Sequence, residues 1–231
     1  NAHSIWVKAR EAKDYSIFKE SLETIIEMTK EFIPLWRKDE VTNYDVLLNQ
    51  YEPGMTTAIL DEVFAQVKDG IMEIRQTLAE KGTAPENDFI HYNVSKEIQK
   101  EFVTNVVEQL GYDFNKGRLD DTVHPFMLNL NRNDARITTR WDETDFAMAT
   151  FGVIHEAGHG MYEQNVDAKF DYTPLAGGTS MGIHESQSLF NEIIVGGSHA
   201  FWSKQYPLLQ SLTGETFKGI DNDTFYNGLK E

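Results

Sequence analysis

Apolar residues recur at helical spacing over much of the first 110 positions. Ile5, Trp6, Ala9, Phe18, Leu22, Ile25, Ile26, Phe32 and Ile33 trace one stripe over residues 5–36, which Pro34 is expected to end. Glu52-Pro53-Gly54 is a turn signal. Ile59, Leu60, Val63, Phe64, Val67, Ile71, Ile74 and Leu78 predict a second amphipathic helix, stopped by Gly82. A third runs from a cap at Ser95 through Phe102, Val103, Val106, Val107 and Leu110 to Gly111. These stripes predict core-packing faces and carry no chemistry.

The pattern then changes. Residues 124–130 and 136–141 alternate and are rich in β-branched or aromatic side chains, with Asn131-Arg132-Asn133-Asp134 between them. That predicts a short hairpin. Directly after it, Phe146, Ala147, Met148, Ala149, Phe151, Val153, Ile154, Ala157, Met161 and Tyr162 make a helix apolar nearly all round, hence buried. A loop over residues 173–178 precedes a helix expected to reach Trp202. Pro207 predicts a turn and Asp223 the start of a last helix. The expectation is a mainly α single domain over residues 1–231 with a small hairpin or sheet.

Composition narrows the chemistry. The chain has 231 residues, 40% of them hydrophobic, enough for a sizeable core. Its 37 acidic residues outnumber 21 basic ones, giving a formal charge of −16. That argues against nucleic-acid binding, which needs a basic surface, and against anionic membranes. No apolar run has the length of a membrane span. With no cysteine, disulfides and thiolate metal sites are excluded, and a cytoplasmic location is expected.

Inside the buried helix the sequence reads His155-Glu156-Ala157-Gly158-His159, and Glu185 follows in Gly182-Ile183-His184-Glu185-Ser186-Gln187-Ser188. On a helix His155 and His159 share one face, so two imidazoles can bind one Zn²⁺. Glu156 between them can act as base on the water that a metal activates. Glu185, from a second helix, is the third candidate ligand, and three ligands leave the open position of a catalytic site. The bland alternative is two surface histidines beside a solvated glutamate. The apolar flanks oppose it, because buried polar groups need partners.

The chain resembles the carboxypeptidase Taq family of thermostable metallocarboxypeptidases. The resemblance is carried by His124-Pro125-Phe126, Asp134-Ala135-Arg136-Ile137-Thr138-Thr139-Arg140, the His155–His159 motif continuing through Tyr162-Glu163-Gln164, and His184-Glu185-Ser186-Gln187-Ser188. It implies a mostly helical zincin fold, with the HExxH helix and a downstream glutamate, and a small sheet beside the active site. It implies release of single residues from peptide C-termini. One zinc or cobalt ion per chain, peptide substrates and a homodimer are implied too. On this resemblance the metal ligands fall on His155, His159 and Glu185, and the general base on Glu156. Leu189 and Gly197 depart from the family pattern, where many relatives carry arginine. The match is to the middle half of a family member, and the arginine and tyrosine thought to hold the substrate carboxylate are expected downstream of this segment.

Other residues keep two readings. His184 is either a helix-start histidine with a satisfied hydrogen bond or a donor to substrate or oxyanion. His124, before a proline, is expected to be extended and either lines the cleft or starts a strand. Asp134, Arg136 and Thr138 share one strand face, as an ion pair with a hydroxyl or with Arg136 reaching substrate. A metallocarboxypeptidase is the leading function. A related helical zincin oligopeptidase or endopeptidase, or a metal-binding but inactive fragment, are the alternatives.

Overall fold

The computed structural model describes residues 2–230 and falls into two compact units, residues 1–80 and 81–231. The first unit is all helix: α1 (Ala2–Ala12), α2 (Ser16–Trp36), α3 (Asn43–Tyr51) and α4 (Thr57–Lys81, its last residue at the boundary). The single stripe expected over 5–36 is therefore broken. Lys13 takes a positive φ of 52° and Asp14 accepts a hydrogen bond from the Ser16 amide, so the chain turns and restarts. Pro34 does not end α2. It sits in the last turn, and the helix closes two residues later, at Trp36.

A reciprocal capping box starts α3. The Asp45 amide donates to Thr42 Oγ1, and the Thr42 amide donates to Asp45 Oδ2. Asp45 Oδ1 also accepts from the Thr57 amide at the head of α4, and that bond is the main reason its pKa falls to about 2. The α4 stripe does not pack into a core as expected. Ile59, Val63, Phe64, Val67, Ile71, Ile74 and Leu78 are all exposed, and no residue of the helix is buried.

The second unit carries the sheet. α5 (Lys96–Leu110) begins at Ser95, whose hydroxyl accepts from the Ile98 amide, and ends at Gly111 with φ 116°, both as predicted. Three strands follow: β1 (Leu119–Asp121), β2 (Met127–Asn131) and β3 (Asp134–Thr139). β2 and β3 form the expected hairpin, with Met127 opposite Ile137 and an irregularity between Asn129 and Asn131. β1 pairs parallel with the other side of β3, giving the order β1-β3-β2. Its Leu-Asp-Asp sequence is too short and too acidic to show a strand period.

α6 (Phe146–Gln164) lies over this sheet and packs against α5, β2 and β3. Asp145 caps it by accepting from the Met148 amide. Its Phe146 joins an aromatic core with Phe89, Trp202, Tyr206, Phe217 and Phe225. α7 (Met181–Leu189) begins at a Ser180 cap and runs on into a wider π-helical stretch over Phe190–Val195. The helix expected to reach Trp202 stops there, because Gly196 and Gly197 are poor helix formers and Ser198 caps a new helix, α8 (His199–Thr213). Pro207 lies inside α8 rather than in a turn. An interior proline costs about 3 kcal/mol, here opposed by burial of Trp202, Tyr206 and Leu209 on the same helix. α9 (Asn222–Gly228) ends the described chain.

α7 approaches α6 so closely that Gly158 has no room for a side chain. A Cβ there would lie 2.6 Å from Ser188 Cα and 2.7 Å from the Gln187 carbonyl oxygen, both backbone atoms. Gly158→Ala must push the two helices apart. We expect it to destabilise the metal-free protein by about 1–3 kcal/mol in urea unfolding, and to weaken zinc binding as well. An unfolding midpoint and zinc affinity equal to those of the unmodified protein would contradict the tight contact.

Candidate metal centre

The contact between α6 and α7 brings together the residues singled out by spacing. Glu185 Oε1 lies 3.6 Å from His155 Nε2, and Glu185 Oε2 lies 3.2 Å from His159 Nε2. One donor atom from each of the three falls within 4.8 Å of the others. Ligands about 2.0–2.1 Å from a tetrahedral zinc stand roughly 3.3 Å apart, so the donors converge on one point and small side-chain adjustments would complete such a set. Burial, then the neighbouring imidazoles of His184 and His155, holds the His159 pKa well below the ordinary histidine range. Its lone pair is therefore available at neutral pH.

Each histidine is held from behind. His155 Nδ1 is 2.7 Å from Glu192 Oε2. His159 Nδ1 is 2.7 Å from His184 Nδ1, and His184 Nε2 is 2.8 Å from Glu163 Oε1. Both nitrogens of His184, which is 8% exposed, thus face protein partners. The sequence reading assigned no role to Glu163 or Glu192. Signals existed for both: Glu163 lies four residues after His159, hence on the same face of α6, and Glu192 lies seven after Glu185. The π-helical stretch that carries Glu192 has no such signal.

Glu156 differs from these carboxylates. It is 7% exposed and lines a cleft of about 390 Å³ together with Phe126, Met127, Asn129, His159, Met181 and His184. No described residue donates a hydrogen bond to it. Burial pushes its pKa up to about 7, with His155 opposing and the Glu185 and Glu192 carboxylates adding to the rise.

The remaining candidates lie outside that cleft lining. His124 is exposed in the bend before β2. Arg136 Nε and Nη2 both donate to Asp134, at 2.8 Å each. Thr138 Oγ1 accepts from the Phe126 amide and donates to the Phe126 carbonyl, which fixes the cleft residue Phe126 against β3. Of the other cations near the motif in sequence, Lys169 pairs with Asp167, and Arg140 contacts Met148 Sδ. His199, outside the motif, pairs with Asp223 on the surface.

A mainly helical unit with a three-stranded sheet and a His/His/Glu cluster across two helices has the architecture of a helical zincin. The chain belongs to the carboxypeptidase Taq (M32) metallopeptidase family, whose model matches residues 1–231. Carboxypeptidase 1 of Bacillus subtilis is 45% identical over 230 residues, which is 100% of this chain and 46% of that protein. The BsuCP crystal structure superposes with a TM-score of 0.94 at 45% identity, covering 98% of this chain and 46% of its own. The M32 carboxypeptidase from Deinococcus radiodurans R1 gives a TM-score of 0.87 at 35% identity, over 98% of this chain and 45% of its own. The chain thus spans about half the length of the relatives it matches. Membership in a metallopeptidase family implies a divalent metal ion.

The raised pKa of Glu156 has a stability consequence in the metal-free state. Its folded value of about 7 lies above the ordinary 4.5, so the folded state favours the protonated form. The associated stability is present below pH 4.5 and is lost as pH rises to 7. Removing the ionisable group by Glu156→Gln is expected to stabilise the chelator-treated protein at pH 8 by about 2–3 kcal/mol, with the gain gone near pH 4. Denaturant melts at the two pH values measure it. A gain independent of pH would show that the Glu156 carboxylate is not held in an apolar setting.

Proposed function

We propose that this chain carries the catalytic centre of a metal-dependent carboxypeptidase. His155, His159 and Glu185 hold a zinc or cobalt ion, one per chain, and Glu156 is the general base. The observation that carries the reading is the buried, unpartnered Glu156 carboxylate beside a donor set of metal-ligand spacing. When bound, the ion supplies Lewis acidity, polarising a carbonyl and acidifying water. Glu156 accepts a proton from the attacking water, for which a pKa near neutrality suits it, and returns that proton to the leaving amine nitrogen. Phe126, Met127 and Met181 give the cleft apolar walls beside Glu156 and His159.

Membership in the carboxypeptidase Taq family supports peptides as substrates and a free C-terminus as the recognised end. On the family resemblance and the absence of cysteine, the protein is further proposed to be a cytoplasmic homodimer. Residues 1–231 form the helical catalytic domain in this reading. The carboxylate anchor is assigned outside this segment, since Arg136 and Lys169 are already paired with aspartates. The oligopeptidase reading shares the metal ligands and differs in needing no free carboxylate.

Three measurements test this on the protein that carries the chain. His159→Ala should lose the metal and all hydrolysis, whereas Glu156→Gln should retain the metal and lose at least about 10²-fold in kcat. Full metal occupancy in His159→Ala, or turnover within tenfold of normal in Glu156→Gln, contradicts the assignments. Peptides with free C-termini should be cleaved and their C-terminal amides left intact. Equal cleavage of both would favour the oligopeptidase.

A further inference from the structure

We propose that Glu163 is a positioning residue of the metal centre, acting through His184 on the ligand His159. The inference rests on the metal reading of His155, His159 and Glu185. To ligate through Nε2, a neutral His159 must carry its proton on Nδ1. That nitrogen lies 2.7 Å from His184 Nδ1. Two nitrogens at this distance must be one donor and one acceptor. His159 Nδ1–H is then the donor, and His184 Nδ1 accepts with its lone pair. The single proton of neutral His184 therefore sits on Nε2, which donates to Glu163 Oε1 at 2.8 Å.

The two hydrogen bonds point the same way and end on a carboxylate that is 4% exposed. Reversing them is incompatible with zinc ligation at one end and sets lone pair against carboxylate at the other. His184 Nδ1–H would require an unprotonated His159 Nδ1, which moves the His159 proton onto the nitrogen that faces Glu185. It would also leave the His184 Nε2 lone pair against the Glu163 carboxylate. A carboxylate at position 163 thus selects the ligating tautomer of His159 across an intervening imidazole. His155, by contrast, meets its carboxylate, Glu192, directly at 2.7 Å.

The surroundings fix the relay in place. The Gly178 amide donates to both Glu163 oxygens, at 3.1 and 3.2 Å. A Cβ on Gly178 would lie 2.7 Å from His184 Cδ2 and 2.7 Å from Tyr162 Cε1, so backbone closes over the ring where a side chain could not. Tyr162 packs edge-on against His184, with centroids 4.9 Å apart. With both nitrogens committed, His184 supports the ligand and does not donate to substrate.

The test uses the full protein, with zinc affinity measured by competition against a chromophoric chelator. Glu163→Gln keeps an acceptor oxygen but removes the charge, and should weaken zinc binding roughly 10- to 100-fold, as loss of support behind a metal-bound histidine does. Glu163→Leu, which removes the acceptor too, should weaken it at least as much. Thermal unfolding of the metal-free variants separates this from a folding defect. Histidine side-chain ¹⁵N spectra of the unmodified, zinc-loaded protein should show His184 unprotonated at Nδ1 and protonated at Nε2. Failure of the unmodified protein to bind zinc would overturn the metal reading itself. Zinc binding by a folded Glu163→Gln within twofold of the unmodified protein would overturn the relay alone, as would a proton on His184 Nδ1. If neither variant folds, the spectrum decides.

Discussion

The site depends on one backbone contact, the approach of α7 to α6 at Gly158. A residue with any side chain at 158 would meet the backbone at Gln187 and Ser188. These two positions follow Glu185 by two and three residues, so the gap between the helices fixes how far the Glu185 carboxylate stands from His155 and His159. The contact lies within the very segment that supplies both imidazoles. Position and chemistry are therefore set by the same five residues: two histidines facing α7, a glutamate facing the cleft, and small residues that let the second helix come close. Ser188, against which Gly158 packs, is fully buried.

Around that contact the fold sorts four carboxylates by environment. Glu163 receives an imidazole and the Gly178 amide, and Glu192 faces a second imidazole. Glu185 faces both candidate ligand nitrogens. Glu156 receives none of these and is pushed toward neutrality by burial. Three of the four face imidazole nitrogens, and the fourth has no such partner.

Much of this was legible in the sequence, and for identifiable reasons. The cap at Ser95 and the left-handed stop at Gly111 follow from strong local rules and fell where spacing put them, and the β2–β3 hairpin formed with its strand ends shifted by one to three residues and a turn of only Arg132-Asn133. The candidate ligands could be named because a helix converts an interval of four into one face. What escaped the sequence depends on tertiary context. β1 exists only as a parallel neighbour of β3. Pro207 stays helical because its neighbours Tyr206 and Leu209 are buried. The break after α1 turns on one residue with positive φ, Lys13, which has no glycine or proline to announce it. The stripe on α4 reads as a core face by period alone, yet it is exposed, since periodicity predicts which residues seek burial and not whether a partner covers them.

The supporting shell shows why the polar groups sit in the most apolar helix of the chain. A histidine at the surface is hydrated and free to rotate, and ordering it costs conformational entropy. In α6 that ordering is supplied by packing: Val153, Ile154 and Ala157 are fully buried around the motif, and the aromatic core anchors the helix start at Phe146. Low local polarity also strengthens each hydrogen bond behind the imidazoles. The same setting penalises any carboxylate that lacks a partner, and Glu156 bears that cost. A helix selected for stability alone would satisfy Glu156 or replace it with an apolar side chain. Its unpaired place, one residue from His155 and facing the cleft, is a local cost that packing does not explain.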